Sequence, residues 1–192
     1  MTKVKSSIFV ASPAVLILLA VALCTGTGIA ESPEKVQGLL LELDAQSQEL
    51  VNVTKAMHDN TEQIADDESL DEDVRAKAEA IHLASHDLWH LAEDVCQHVE
   101  ELKDLCSDPQ ANKREINESL DEIVEHLGEY TSIQEEQEDS VHSILFAAPE
   151  SHKEYADATH DAFHKAEGII SNLVEGIKEL AATVGVEVKT AE

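Results

Sequence analysis

The chain has 192 residues and a formal net charge of −27, from 40 acidic and 13 basic side chains. With 7 Gly, 3 Phe, 2 Tyr and 1 Trp, it is too poor in glycine and aromatic residues for a β-sandwich, a barrel or a glycine-rich nucleotide-binding fold. Its acidity excludes general binding to nucleic acid. Because 43% of the residues are hydrophobic and recur periodically, we expect a folded chain with a core.

The first thirty residues have the pattern of a secretory signal peptide. Lys3 and Lys5 precede an apolar run, and small residues follow as far as Ala30. We expect cleavage after Ala30, which leaves an exported body of residues 31–192. Two alternatives stay open: lipid attachment at Cys24, and an uncleaved membrane anchor, since the apolar segment is nearly long enough to span a bilayer. Each alternative places the body in a periplasm, in the medium or at the cell surface.

The exported body is more acidic than the whole chain, because residues 1–30 hold two lysines and no acidic residue. Such a charge attracts cations and repels anionic lipids and polymers. It is equally typical of adaptation to a saline medium, in which case it has no bearing on function.

Four amphipathic helices are predicted in the body. Ser69 and Glu72 form a capping box at the start of the second helix, Asp108 and Pro109 start the third, and Gly185 ends the fourth. The expected bounds are 33–66, 69–106, 109–146, and from after Pro149 to 185.

These helices are joined by short connections, so neighbours must run antiparallel. We therefore predict an all-α fold: an antiparallel up-down-up-down four-helix bundle made of two related helical hairpins, about 33–106 and 109–185. Cys96 and Cys106 lie about 15 Å apart along one helix, too far for a disulfide. Cys106, at the helix end, is a candidate for a bridge between molecules.

Two nine-residue segments repeat within the chain, one starting at Ser85 and the other at Thr159. Both follow the pattern [S/T]-H-D-x-[aromatic]-H-x-A-E. The match indicates that the second and fourth helices are copies.

Histidines are concentrated in and beside these segments. His82, His86 and His90 are spaced four residues apart in the second helix, as are His160 and His164 in the fourth. Side chains four apart share a helix face, so two imidazoles can bind one metal ion.

Carboxylates accompany these histidine rows. Glu93 and Glu167 follow the last histidine of each row by three residues, and we expect them to add oxygen ligands. Asp87 and Asp161 would orient the imidazoles from behind. Nitrogen and oxygen donors together suit zinc, nickel, copper(II) or iron, so we predict a protein that binds one of these divalent transition metals through HxxxH and HxxE rows.

Other interpretations of the same residues stay open. On a helical wheel both rows fall on the polar face, where solvated histidines need no function. A non-catalytic interaction bundle would instead present Trp89 and Phe163 to a protein partner or to a second copy in a homodimer.

A buried di-iron or haem site is a further alternative. His58 and Glu138 fall on the predicted apolar faces of the first and third helices. Together with the Glu79-x-x-His82 motif they faintly resemble the ligands of di-iron bundles. A satisfied core histidine also fits position 58. Haem bound between histidines would need these side chains to face the core, and no Cys-x-x-Cys-His motif for covalent haem occurs.

Residues for catalysis are not apparent. We find no nucleophile paired with a base, no glycine-rich loop and no triad, so we expect a binding protein and not an enzyme. Its expected partner is the metal ion. Membrane contact is expected only if the N-terminal segment stays uncleaved.

Overall fold

The structure is a computed structural model, and it describes residues 33–189. The predicted signal peptide lies outside the described residues. The elements in chain order are α1 (Pro33–Ala65), α2 (Glu72–Leu105), α3 (Lys113–Ala147), a one-turn 3-10 helix (Glu150–His152) and α4 (Lys153–Val184).

The four helices form a closed ring of neighbours. The helix α1 packs against α2 and α4, and α3 packs against the same two helices, so α1 and α3 lie diagonally across the bundle. Short connections between helices of 32 to 35 residues make successive helices antiparallel. The predicted all-α four-helix bundle is confirmed.

The core is formed by the predicted apolar stripes. Leu50 of α1, Leu88 of α2, Leu120 of α3 and Leu173 of α4 are all buried. Each such side chain stabilises the fold by roughly 1.5–3 kcal/mol relative to an exposed one. Between residues 33 and 189, no helix combines the length and the apolar character needed to cross a bilayer.

The second helix begins later than the sequence predicts. Its N-cap is Asp71, whose carboxylate accepts a hydrogen bond from the Asp73 N–H at 2.9 Å. The Ser69 N–H donates to the Asp67 carboxylate at 2.8 Å, so Ser69 belongs to a turn. The predicted capping box of Ser69 and Glu72 was wrong because the acidic run before it offers a competing turn.

The third helix also begins later than Pro109. The Asp108 carboxylate accepts from the Ala111 N–H at 3.2 Å, and the Asn112 side-chain amide donates to the Leu105 carbonyl at 2.8 Å. Asp108 therefore caps a turn, while Asn112 closes the end of α2 and directly precedes Lys113, the first residue of α3.

The end of α4 and the state of the cysteines follow the sequence more closely. Gly185 has φ +76°, and its N–H donates to the Ala181 carbonyl at 2.9 Å, a helix end that favours glycine. Cys96 and Cys106 are both free thiols. Cys106 is buried and burial raises the pKa of its thiol to about 11, so it is not placed to bridge two molecules.

Candidate metal centre

The predicted histidine row of α2 lies on the outer surface of the bundle. The side chains of His86 and His90 are 54% and 61% exposed, and their rings are 4.7 Å apart between centroids. The Glu93 carboxylate lies 3.5 Å from the His90 Nδ1 atom, beyond ordinary hydrogen-bond distance. His82 is half-buried.

The predicted row of α4 is more enclosed. The ring centroids of His160 and His164 are 4.5 Å apart, and the two side chains are 26% and 39% exposed. The Nδ1 atom of His164 is 2.9 Å from the Glu167 carboxylate. This hydrogen bond fixes the ring, whereas Asp161 lies 3.6 Å from the His160 Nδ1 atom, too far for a hydrogen bond.

A third histidine, which the sequence did not single out, completes the α4 row. The ring of His142, on α3, lies 5.4 Å from His160 and 5.8 Å from His164 between centroids. One nitrogen of each ring lies within 4.8 Å of one nitrogen of each other ring. Within residues 33–189, no other set of three His, Cys, Asp or Glu side chains has its ligand atoms all within 4.8 Å of one another. We call this set the three-histidine cluster.

The cluster straddles the interface between α3 and α4. All three side chains are half-buried, so they combine partial shelter from water with an open side toward solvent. Ligand atoms of a tetrahedral zinc ion stand about 3.3–3.4 Å apart, as metal–nitrogen bonds of about 2.0–2.1 Å require. Small side-chain rotations would therefore close the cluster around one ion.

A similar but looser arrangement lies between α1 and α2. The ring of His58, on α1, lies 4.2 Å from that of His82 and 6.1 Å from that of His86. The His58 ring is also 5.9 Å from Trp89. In each half of the bundle, one histidine of the first helix thus lies against the histidine row of the second helix. The two halves therefore resemble each other in the placement of histidines as well as in sequence.

His58 is neither a core residue nor part of a buried di-iron site. Its side chain is 16% exposed, and its Nδ1 atom lies 3.2 Å from the Asp59 carboxylate. Glu138 is exposed, so its predicted place on the apolar face of the third helix was wrong. None of the ten histidines, all within the described residues, is buried.

The repeat is not exact in its packing. Phe163 is 1% exposed and belongs to the core, whereas its counterpart Trp89 is half-buried. The neighbours are reversed, since Leu88 is buried and Ala162 is half-buried. The two similar segments therefore turn slightly different faces to the core, and Trp89 and Phe163 do not form the shared surface predicted for an interaction bundle.

Comparison with known proteins gives no further guide, because no family model, curated protein or solved structure matches the chain. The chemistry of the site is therefore derived from its own residues.

Proposed function

We propose that this protein is an exported binder of divalent transition metal ions, and that its principal site is the cluster of His142, His160 and His164. The observation that supports this function is the approach of three ligand nitrogens to within 4.8 Å of one another. Three imidazoles from two helices form a donor set suited to zinc, nickel, copper(II) or iron.

The hydrogen bond from His164 to Glu167 supports a ligand role for this ring. When Nδ1 carries the proton and donates it to the carboxylate, Nε2 keeps its lone pair for a metal. Glu167, predicted as an oxygen ligand, thus serves better as the group that orients His164. Because a ligand imidazole must be deprotonated, the bound ion is expected to dissociate in acid.

The charge of the protein favours the same function. A net charge of −27 raises the local concentration of cations around the bundle. Three protein ligands leave a further coordination position for water or for a small anionic ligand. We propose binding and release of metal outside the cytoplasm, without catalysis.

The predicted row of His82, His86, His90 and Glu93, together with His58, is proposed as a second and weaker site. Its rings lie close across α1 and α2, but they do not bring three ligand atoms within 4.8 Å of one another. Larger rotations of exposed side chains must therefore precede binding, which costs side-chain entropy.

Isothermal titration with Zn²⁺, on protein purified without a histidine tag, tests the principal site. We expect His142→Ala to weaken the tightest binding event by about tenfold or more, at least the effect of losing an outer-shell partner. His152→Ala is the matched control, since His152 is half-buried but pairs with Asp67 at 3.2 Å outside the cluster. A protein that takes up no zinc, nickel, copper or iron would refute the proposed function.

The same titration separates the two sites. The double substitution of His86→Ala with His90→Ala should remove the weaker event and leave the tighter one intact. Equal loss of both events would contradict the assignment of the tighter event to the three-histidine cluster.

A further inference from the structure

Two more histidines lie in contact at the interface between α2 and α3. His98 of α2 and His126 of α3 lie with ring centroids 5.6 Å apart and ring planes inclined by 24°. Neither residue belongs to the two sites proposed above. Their side chains are half-buried, and each is followed three residues later by a glutamate.

Both imidazoles carry a buried nitrogen without a hydrogen bond in the protein. The Nδ1 atoms of His98 and His126 are both enclosed and both lack a hydrogen-bond partner. A buried polar atom in this state is costly, because it has lost its hydrogen bonds to water without gaining one in the protein. Each nitrogen therefore stands to gain from a ligand that the fold itself does not supply.

Two carboxylates flank one of these nitrogens within ion-pair distance. The His98 Nδ1 atom lies 3.5 Å from the Glu101 carboxylate and 3.4 Å from that of Glu122. Both distances exceed the roughly 2.7–3.2 Å of a hydrogen bond. They are close to the separation of about 3.3–3.4 Å between neighbouring ligands of a tetrahedral ion with bonds of about 2.0–2.1 Å. Among His98, Glu101, Glu122 and His126, no three ligand atoms all lie within 4.8 Å of one another, so side chains must rotate before an ion can bind.

We propose that His98, Glu101, Glu122 and His126 form a separate site for a zinc-like divalent ion that joins α2 to α3. Two imidazoles and two carboxylates provide four zinc ligands, enough to fill a tetrahedral site. An ion here would neutralise two carboxylates of a strongly acidic bundle and give both buried nitrogens a partner.

The glutamates are the mobile part of this site. Their side chains are 49% and 56% exposed, so they can rotate to close around the ion without disturbing the core. The histidines are more enclosed, since both are half-buried and the His98 side chain is 19% exposed. Enclosed imidazoles have less rotamer freedom to lose on binding, whereas the two glutamates must give up theirs when they close around an ion.

Titration of the tag-free protein with Zn²⁺, followed by NMR of the histidine ring nitrogens, tests this site. The signals of His98 and His126 are assigned by single substitution. We expect both to shift together, and Mg²⁺, which prefers oxygen ligands, to leave them in place. In Glu101→Gln or Glu122→Gln, the affinity measured at these signals should fall by about tenfold or more.

The substitution Glu100→Gln is the matched control, because Glu100 has the same charge on the same helix but pairs with Lys103. All three variants change exposed side chains, so circular dichroism should show intact helices. The proposal is overturned if the two histidine signals ignore Zn²⁺, or if both glutamate variants bind like the parent protein. Loss of the three-histidine cluster by His142→Ala should not affect these signals, so the two proposals fail independently.

Discussion

The ring of His142 lies 5.4 Å from the ring of His160, and this contact crosses the α3–α4 interface. That interface is the least extensive of the four between neighbouring helices. A metal ion bound by histidines of both helices would therefore fasten the bundle at the place where side-chain packing holds it least. Metal binding and the stability of the bundle should be coupled.

Zinc is accordingly expected to raise the melting temperature. At a free concentration of 100 times the dissociation constant, a ligand of the folded state stabilises by about 2.7 kcal/mol, which for a domain of this size is a rise in Tm of about 5–10 °C. Circular dichroism melts with Zn²⁺, and again after EDTA, measure the effect. Because the proposed site between α2 and α3 would also contribute, His142→Ala should lose the part of the rise that the three-histidine cluster supplies, whereas His152→Ala should retain all of it. Equal shifts in both variants would show that the cluster does not contribute to the stabilisation.

The fold was predictable because it depends on local patterns. Apolar stripes with a helical period and short connections suffice to predict the bundle, and residues such as Leu50 and Leu173 are buried as expected. The errors at the starts of α2 and α3 arose where Asp67 and Asp108 bind nearby backbone N–H groups. These turns compete with helix caps that use the same residue types.

The candidate site was only half predictable. The rows of α2 and α4 are visible as i, i+4 spacings, but the partner of the α4 row, His142, comes from another helix. Its position depends on the length of the α3–α4 connection, which the sequence predicts only within a few residues. In two antiparallel helices, residues at similar distances before and after the connecting turn lie side by side. Counting the residues from the turn to His160, and the same number back along α3, would have led close to His142.

The burial of Phe163 also had a signal in the sequence. Ala156, Phe163, Ile170 and Ile177 are spaced seven residues apart, and all are buried. A repeat of seven is the period with which packed helices present side chains to their neighbours. The internal similarity to the segment around Trp89 obscured this pattern, because similar sequences need not turn the same face inward.

Trp89 provides a direct probe of the first hairpin. It is the only tryptophan of the chain, its ring stacks on His90 with centroids 6.4 Å apart, and His58 lies 5.9 Å away. Copper(II) bound by these histidines should therefore quench the Trp89 fluorescence. His58→Ala or His90→Ala should weaken the quenching in a copper titration, while His142→Ala should not. Undiminished quenching in the first two variants would contradict a site beside Trp89.

Four glycines provide a test of helix packing. Gly38 and Gly168 are helical positions with open space where a Cβ atom would lie, so Gly38→Ala and Gly168→Ala should each stabilise by roughly 0.5–1 kcal/mol. At Gly176 the added Cβ would lie 2.9 Å from a Leu43 methyl carbon, and Gly185 has positive φ.

Urea unfolding of the four single variants measures these differences. Gly176→Ala should gain less than the two open positions, because Leu43 must move, and Gly185→Ala should be destabilised by its strained backbone. A loss of stability in Gly38→Ala would contradict the open space at this position.

A buried tyrosine should make the bundle sensitive to alkali. Tyr130 is 1% exposed, and its hydroxyl lies 2.7 Å from the Thr54 hydroxyl. Burial raises the pKa of Tyr130 from 10.0 to about 12, although the hydrogen bond with Thr54 acts in the opposite direction. The folded state therefore holds the phenol proton more tightly than the unfolded chain does.

The sign of the effect follows from linkage. A group whose pKa is raised by folding stabilises the protein fully below its unfolded pKa, and this contribution disappears as the pH rises through the folded pKa. The free energy of unfolding should thus fall between pH 10 and about 12, by on the order of 2 kcal/mol from Tyr130. Cys106, whose pKa is raised from 9.0 to about 11, adds to the decline from a lower pH.

Urea unfolding at several pH values separates the two groups. Tyr130→Phe should lose about 1 kcal/mol at neutral pH with its hydrogen bond, while Thr54 keeps its bond to the Leu50 carbonyl at 2.8 Å. Above pH 10 the variant should lose stability more slowly than the parent protein, and Cys106→Ala should flatten only the earlier part of the curve. Parallel curves for Tyr130→Phe and the parent would show that another group controls alkaline unfolding.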